Sequence, residues 1–372
     1  MGRARWGRIG RPLLCFSVLL IVGAAPVPAA AAEPVPGWRL HATEHFLIYV
    51  VEGTAGAVHV ERVAAVLERI YGDAIAPLRL PPVRLVYPLY PTAERFRSDW
   101  WYFASSGDGE TVHAWGTVYA GDDRALTPYT ITRVLIADRF PRAIPLLRWG
   151  LGDALADRVS GVNAHRHLAA VRAAGLAVPR LQELLAPADF GDRLPASYPA
   201  AVSFVAYLLE RYGPARTAAF VDRVAYRYFD FPELFARHFG EPLSEVERAW
   251  EAKVTGAAPL RPIEGSDYVA AARFVYRILL AASPARRMLL SEGPVVVAAA
   301  LAAAEPLRRL DLEVVRDHME TARRATDQAQ REARQTEWGL RGGVIVLVLT
   351  PILIAVGWLV WPAIRGRLAS RG

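Results

Sequence analysis

A chain of 372 residues with a hydrophobic share of 53% and a formal net charge of +7 has room for one large domain or two modest ones. The charge is local. Arg3, Arg5, Arg8 and Arg11 open the chain, Arg365, Arg367 and Arg371 close it, and neither end carries an acid. What lies between is close to neutral, so nucleic-acid binding has no electrostatic support, and the single cysteine, Cys15, rules out an internal disulfide or a thiolate zinc site.

In chain order, residues 1–32 read as a secretory signal: a basic start, the apolar run LLCFSVLLIVG, then APVPAAAAE with cleavage near Ala32. An uncleaved anchor is the alternative. The sequence PLLC lacks the small residue expected before a lipidated cysteine. After an extended lead-in over 33–37, HFLIYVV (His45–Val51) is apolar and β-branched, which predicts a strand. AVHVERVAAVLERIYGDAI has helical spacing, PPVRLVYPLY (Pro81–Tyr90) is a second strand, and Thr92 caps a helix anchored by Phe96. TVHAWGTVYA is sheet between glycine turns. From Thr127 the pattern is helical, with segments at Ile131–Phe140, Leu146–Val159, His165–Ala174, Pro199–Tyr212, Ala215–Tyr228, Pro232–Phe239 and Leu243–Val254.

Residues 261–338 differ in character. Ala-rich apolar stretches precede a charged helix whose stripe of Leu307, Leu310, Val314, Val315, Met319 and Ala322 fades after Ala325. This predicts a helical juxtamembrane stalk with weak coiled-coil character. Gly343–Ile364 then carries no charge, has Trp358 and Trp361 near its end, and is long enough to cross ~30 Å of hydrocarbon. The arginines of 365–372 place the C-terminus in the cytoplasm by the positive-inside rule. The expected class is α+β: a small mixed N-terminal sheet with a helix, a helical array over 38–254, the stalk, and one C-terminal transmembrane helix in a single-pass type I cell-membrane protein with an extracytoplasmic domain.

The strand–helix–strand order, "PPVRLVYPLYPTAERF", the glycine-rich strands, "PLLRWGLGDALADR", "SYPAAVSFVAYLLERYG" and "EPLSEVERAWEAKV" together resemble the peptidase MA-like family, over roughly Trp38–Val254. These are gluzincin-type zinc metallopeptidase domains. The resemblance implies a helix bearing His-Glu-x-x-His, whose two imidazoles share a face at i and i+4, and a following helix that supplies a third ligand through a Glu. It also implies that the Glu between the histidines acts as general base. Laid on this sequence, Ala137 falls at the first His, Asp138 at the Glu, Pro141 at the second His and Trp149 at the third ligand, while Pro145, Leu147, Gly150 and Leu151 match the framework. All ligand positions are lost, and no His lies between His113 and His165. Pro141 also disfavours helix at Phe140, so the backbone should end there.

His113, Asp153, His165 and His167 are relocated ligands under an alternative reading as a working metallohydrolase; the plain reading of His165 and His167, which follow the helix carrying Asp153 and Asp157, is a solvated helix start capped by Asn163. His113 on a strand could face the former cleft. His41, His45, His59, His238 and His318 have no partner at ligand spacing. Ser105 and Ser106 lie in a turn without a nucleophile elbow. Glu94, Asp99, Asp108 and Glu110 default to surface, and Trp100, Trp101, Tyr102 and Phe103 to core. The resemblance therefore implies a non-catalytic binding or scaffold module without a cofactor, zinc entering only under the alternative reading. Its expected partners are the bilayer and a protein or peptide in the former cleft. A stalk that is itself the functional part is a third reading.

Overall fold

The computed structural model describes residues 36–331 except 100–102, 104–110, 114–115, 186–192, 226, 228 and 280–292. The signal over 1–32, the span Gly343–Ile364, the tail over 365–372, Ser105, Ser106, Asp108 and Glu110 lie outside the described residues. Among the described residues, no helix is long and apolar enough to cross a membrane.

Five strands open the domain: β1 (Trp38–Ala42), β2 (Phe46–Val51), β3 (Arg84–Tyr90), β4 (Thr111–His113) and β5 (Thr117–Val118). The sheet order is β1-β2-β3-β4, with β5 also on β3; β1 is antiparallel to β2 and the other pairs are parallel. A short turn of helix, α1 (Ala55–Val58), and α2 (Val60–Ala74) make the crossover, and α3 (Ala93–Asp99) follows β3. The helical array comprises α4 (Pro128–Arg139), α5 (Pro145–Ser160), α6 (Ala164–Ala173), α7 (Leu194–Tyr212), α8 (Pro214–Val224), α9 (Phe231–Phe239) and α10 (Leu243–Thr255). After these come α11 (Gly265–Leu279), α12 (Gly293–Ala302), α13 (Ala304–Arg308) and a helix α14 over 312–331. The architecture is mixed α+β, a small N-terminal sheet followed by mostly helix. β1 lies just after the lead-in, in residues for which the sequence predicts no element; its Leu40 is half exposed, so it lacks the apolar run that marks β2 and β3.

Both faces of the sheet are covered. Along β2 and β3 alternate side chains point to opposite faces. Phe46, Ile48, Val50, Leu85, Tyr87 and Leu89 join the main core with α2 and the helical array. Tyr49, Val86 and Tyr90 face a second core with Trp38, Phe96 and Phe103, closed by Ile278, Val296, Val297 and Ala300 from α11 and α12 and by Ala322 from α14. This corrects the expectation of a stalk over 261–338. The stripe of Leu307, Leu310, Val315, Met319 and Ala322 packs on the chain's own domain, with only Val314 of the large apolar residues left substantially exposed. Of the aromatic cluster, Phe103 is described and is core, edge-on to Trp38 at 5.1 Å.

At the centre lies α5, buried from Leu146 through Asp157 except at the half-exposed Arg148. A helix buried on every side shows no amphipathic stripe. It packs on α7 through Gly150, where a Cβ would lie 2.7 Å from the Ala201 carbonyl oxygen and 2.8 Å from Val205 Cγ2. It packs on α4 through Gly152, where a Cβ would come within 3.3 Å of Arg133 Cα.

Gly150→Ala is therefore expected to cost about 1–3 kcal/mol by overpacking against the α7 backbone. Gly72→Ala on α2, where a Cβ meets nothing within 4 Å, should stabilise by up to about 1 kcal/mol. Urea unfolding of both variants measures the opposite signs.

Candidate functional site

The central stretch forms an antiparallel helix hairpin. Thr127 caps α4 by accepting from the Tyr129 N–H, and Pro128 sits in its first turn. The helix stops at Arg139, with Phe140 already out of helical geometry, as Pro141 dictates. Five residues later Pro145 starts α5, which ends on Gly161 in the left-handed region (φ 68°). Ala137 and Trp149 occupy the turns nearest the link. One turn further, Arg133 meets Asp153; one turn beyond that, Tyr129 meets Asp157.

The charges in these two layers are buried. Arg133 Nε donates to Asp153 Oδ1 at 2.5 Å and Nη2 to Oδ2 at 2.6 Å, a two-pronged pair that is nearly solvent-free on both sides. Tyr198 on α7 is buried close enough that the Asp153 charge helps burial to raise its pKa well above the ordinary value. Burial alone works against a charged Arg133, but the Asp153 carboxylate outweighs it and raises its pKa. Asp157 pairs with Arg308 of α13, whose Nε donates to Oδ1 at 3.1 Å and whose Nη2 donates to Oδ2. Arg308 is fully buried although it stands 151 residues away in the chain. Its own pKa behaves as that of Arg133 does, burial being overcome by the Asp157 charge. Burial raises Asp157, with Arg308 and the Tyr129 hydroxyl pulling the other way.

His167 completes the second layer. Its Nδ1 lies 2.9 Å from the Arg308 carbonyl oxygen, an acceptor only, so Nδ1 carries the hydrogen and Nε2 accepts from the Tyr268 hydroxyl at 3.2 Å. Burial, then the Arg308 charge, push its pKa well below the ordinary value, so the ring is neutral. Tyr198 and Tyr276 stack nearby, with ring centroids 4.1 Å apart.

The residues singled out from sequence are placed as follows. Ala137 packs at the edge of the core, Asp138 is exposed, Pro141 lies in the link beyond α4, and Trp149 is buried with the Arg148 guanidinium 4.3 Å over its ring. Partial desolvation by the neighbouring chain still raises the Asp138 pKa, with Arg139 opposing. Because Pro141 is outside the helix, Ala137 and Pro141 do not share a helical face. The pair one turn apart on α4 that approaches α5 is Arg133 and Ala137. Arg133, Tyr129 and Arg308 carry no mark in the sequence that makes them site residues; two Asp at i, i+4 on an apolar helix, Asp153 and Asp157, are the available signal.

The relocated ligands do not converge. Asp153 is held by Arg133, His167 by Arg308 and Tyr268, and His113 ends β4 opposite Val86. Among the described residues, no three of His, Cys, Asp or Glu gather so as to hold a metal ion. The solvated helix start is also corrected: Asn163 does cap α6, but His165 and His167 are both buried. His165 Nδ1 lies 2.9 Å from Ser203 Oγ and its Nε2 3.4 Å from Glu210, the residue types of a hydrolase triad with the two ring nitrogens exchanged. However, Ser203 is fully buried and its oxygen accepts from the Trp250 indole at 3.0 Å, so no substrate meets it. These groups tie α6, α7 and α10 together. The His165 hydrogen bond, with burial opposing and Lys253 assisting, holds Glu210 at about 2.

A cavity of about 710 Å³ adjoins the hairpin. It is bounded by Val118 of β5, Thr127 and Thr130 at the start of α4, and Leu301, Glu305 and Arg309 from the C-terminal helices. Compared with known proteins, the chain matches no family model, no curated protein and no solved structure.

The His167 environment gives a pH dependence with a definite sign. Its folded pKa is depressed, so its contribution is complete above the unfolded value of about 6.5 and is lost as pH falls below it, when the unfolded chain takes up a proton first. Stability of the wild type should fall between pH 6.5 and 5 by up to about 1.4 kcal/mol per pH unit more than that of His167→Gln. Urea titrations across that window read the difference; parallel curves would contradict it.

Proposed function

We propose that the chain is a membrane-anchored extracytoplasmic protein whose peptidase MA-like domain binds or scaffolds a protein or peptide partner without metal catalysis. One observation carries the reading. In the hairpin where the resemblance expects three zinc ligands, the residues facing one another are a guanidinium and carboxylates in closed ion pairs. The residues there do not fit zinc: neither Arg133, Ala137, Pro141 nor Trp149 offers a neutral nitrogen or a carboxylate, and Asp153 has both oxygens taken by Arg133. Framework positions support the resemblance in parallel, with Pro145 in the first turn of α5 and Gly150 at its close contact with α7. The cavity beside β5 is the concave surface that a partner would use, since pockets of a few hundred Å³ lined mainly by apolar groups with a few polar ones, here Thr127, Thr130, Glu305 and Arg309 beside Val118 and Leu301, suit ligands and peptide side chains.

The full chain should stay in the membrane pellet after alkaline washing and, once extracted in detergent and purified, should carry less than a tenth of a zinc ion per chain. Stoichiometric zinc, or proteolysis that a chelator abolishes, would overturn the reading.

A further inference from the structure

The C-terminal helices leave a space where they meet the start of α4. The cavity of about 710 Å³ lies there, and its two walls differ in origin. Val118 and Thr130 belong to the part of the chain that resembles the peptidase MA-like family, over 38–254. Ala298 and Leu301 of α12 and Val314 of α14 lie beyond it. The cavity is thus completed by this chain's own C-terminal segment, outside the resemblance.

Its lining is selective. Small side chains at Ala125 and Ala298 on the two walls leave the space open, and Val314, 37% exposed, is a large apolar residue left without full cover. Thr130 is only 4% exposed and lines the cavity, yet its hydroxyl has no hydrogen-bond partner among the described residues. A buried polar group normally has one, so a ligand atom or a water belongs there. The charges are unevenly committed. Glu305 accepts from Arg309 Nε at 2.9 Å, and Arg309 Nη2 also donates to the Ser160 carbonyl at 2.7 Å. Asp122, in the turn after β5, and Asp311, in the turn before α14, join no ion pair among the described residues; Arg124 is the one uncommitted guanidinium beside them. His318 also lines the cavity, and burial lowers its pKa, so the ring is neutral at pH 7 and adds no positive charge. The lining carries one more carboxylate than it has cations.

We infer that the cavity recognises a peptide segment that pairs an aromatic side chain with a neighbouring lysine or arginine, the ring entering the apolar space and the cation meeting the Asp122 and Asp311 carboxylates. This rests on the reading of the chain as a partner-binding module and names the chemistry of that partner. An aromatic ring buries about 150–250 Å² and fills a space of this size better than a short aliphatic side chain does. The carboxylates, being near solvent, set preference more than affinity. Thr130 is placed to meet a peptide carbonyl.

The test probes an array of immobilised acetylated hexapeptides of glycine and serine, whose two central residues run through all pairs, with the detergent-purified full chain. Phe-Lys and Trp-Arg type pairs should bind at least tenfold more tightly than Phe-Glu or Ala-Lys pairs, as measured for soluble copies by fluorescence anisotropy. Val314→Lys, a change at a partly exposed position, should weaken Phe-Lys binding at least fivefold. Asp122→Asn combined with Asp311→Asn should erase the preference for Lys over Glu and keep that for Phe over Ala. Equal binding of acidic and basic pairs by the wild type, or unchanged binding by folded Val314→Lys, overturns the inference and leaves the parent reading standing. Failure of every peptide to bind also overturns it. Cleavage of the peptides that a chelator abolishes overturns the parent reading instead. Should Val314→Lys not fold, the asparagine pair decides: a preference for Lys over Glu that survives it contradicts the inference.

Discussion

A helix buried on every side cannot hold two carboxylates unless each meets a cation, and α5 holds Asp153 and Asp157 one turn apart. Most of the architecture answers that demand. Arg133 comes from the preceding helix and Arg308 from the far end of the chain, so the hairpin and the C-terminal helices are joined through α5. Such pairs contribute little net stability compared with apolar packing, because desolvation offsets the attraction. What they impose is mutual dependence: removing either partner leaves a buried charge alone. The tyrosines and His167 then satisfy the remaining lone pairs around Asp157 and the Arg308 carbonyl.

That dependence explains why the C-terminal segment belongs to the domain. Its Ala-rich helix α12 and the five-residue α13 are too short to be stable alone. They become ordered by closing the second face of the sheet and by burying Arg308. Leu310, buried and in the left-handed region at φ 58°, marks the turn that carries the chain from Arg308 into α14. A non-glycine residue persists there only when its surroundings fix it, as burial of Leu310 and the hydrogen bond from its N–H to the Leu307 carbonyl do.

The sequence was most legible where local rules decide. Helices α4 to α10 each correspond to a helical segment of the sequence, the stop at Phe140 is marked by Pro141, the start of α6 by Asn163, and strands β2 and β3 by their β-branched runs. Legibility failed where the deciding partner is distant. Leu307 to Ala322 form a helical stripe whatever they pack on, and nothing local says that the surface is the chain's own sheet and core. Arg308 looks like one surface arginine among many until Asp157, 151 residues away, is placed against it. His165 and His167 sit on different faces of α6, and both are buried because α7 covers one and α11 with α13 the other. The candidate site was found as a stretch rather than as residues: the hairpin was located, while its contacting layer lies one turn from the positions suggested by the motif.

The interdependence of the buried pairs is the central claim, and a double-mutant cycle on Arg308 and Asp157 tests it most directly. Arg308→Met, Asp157→Leu and the combination would be compared by urea unfolding. The account predicts about 3–5 kcal/mol lost in each single variant and far less than their sum in the double, with a coupling above about 2 kcal/mol. Additive losses, with no coupling between the two positions, would contradict it.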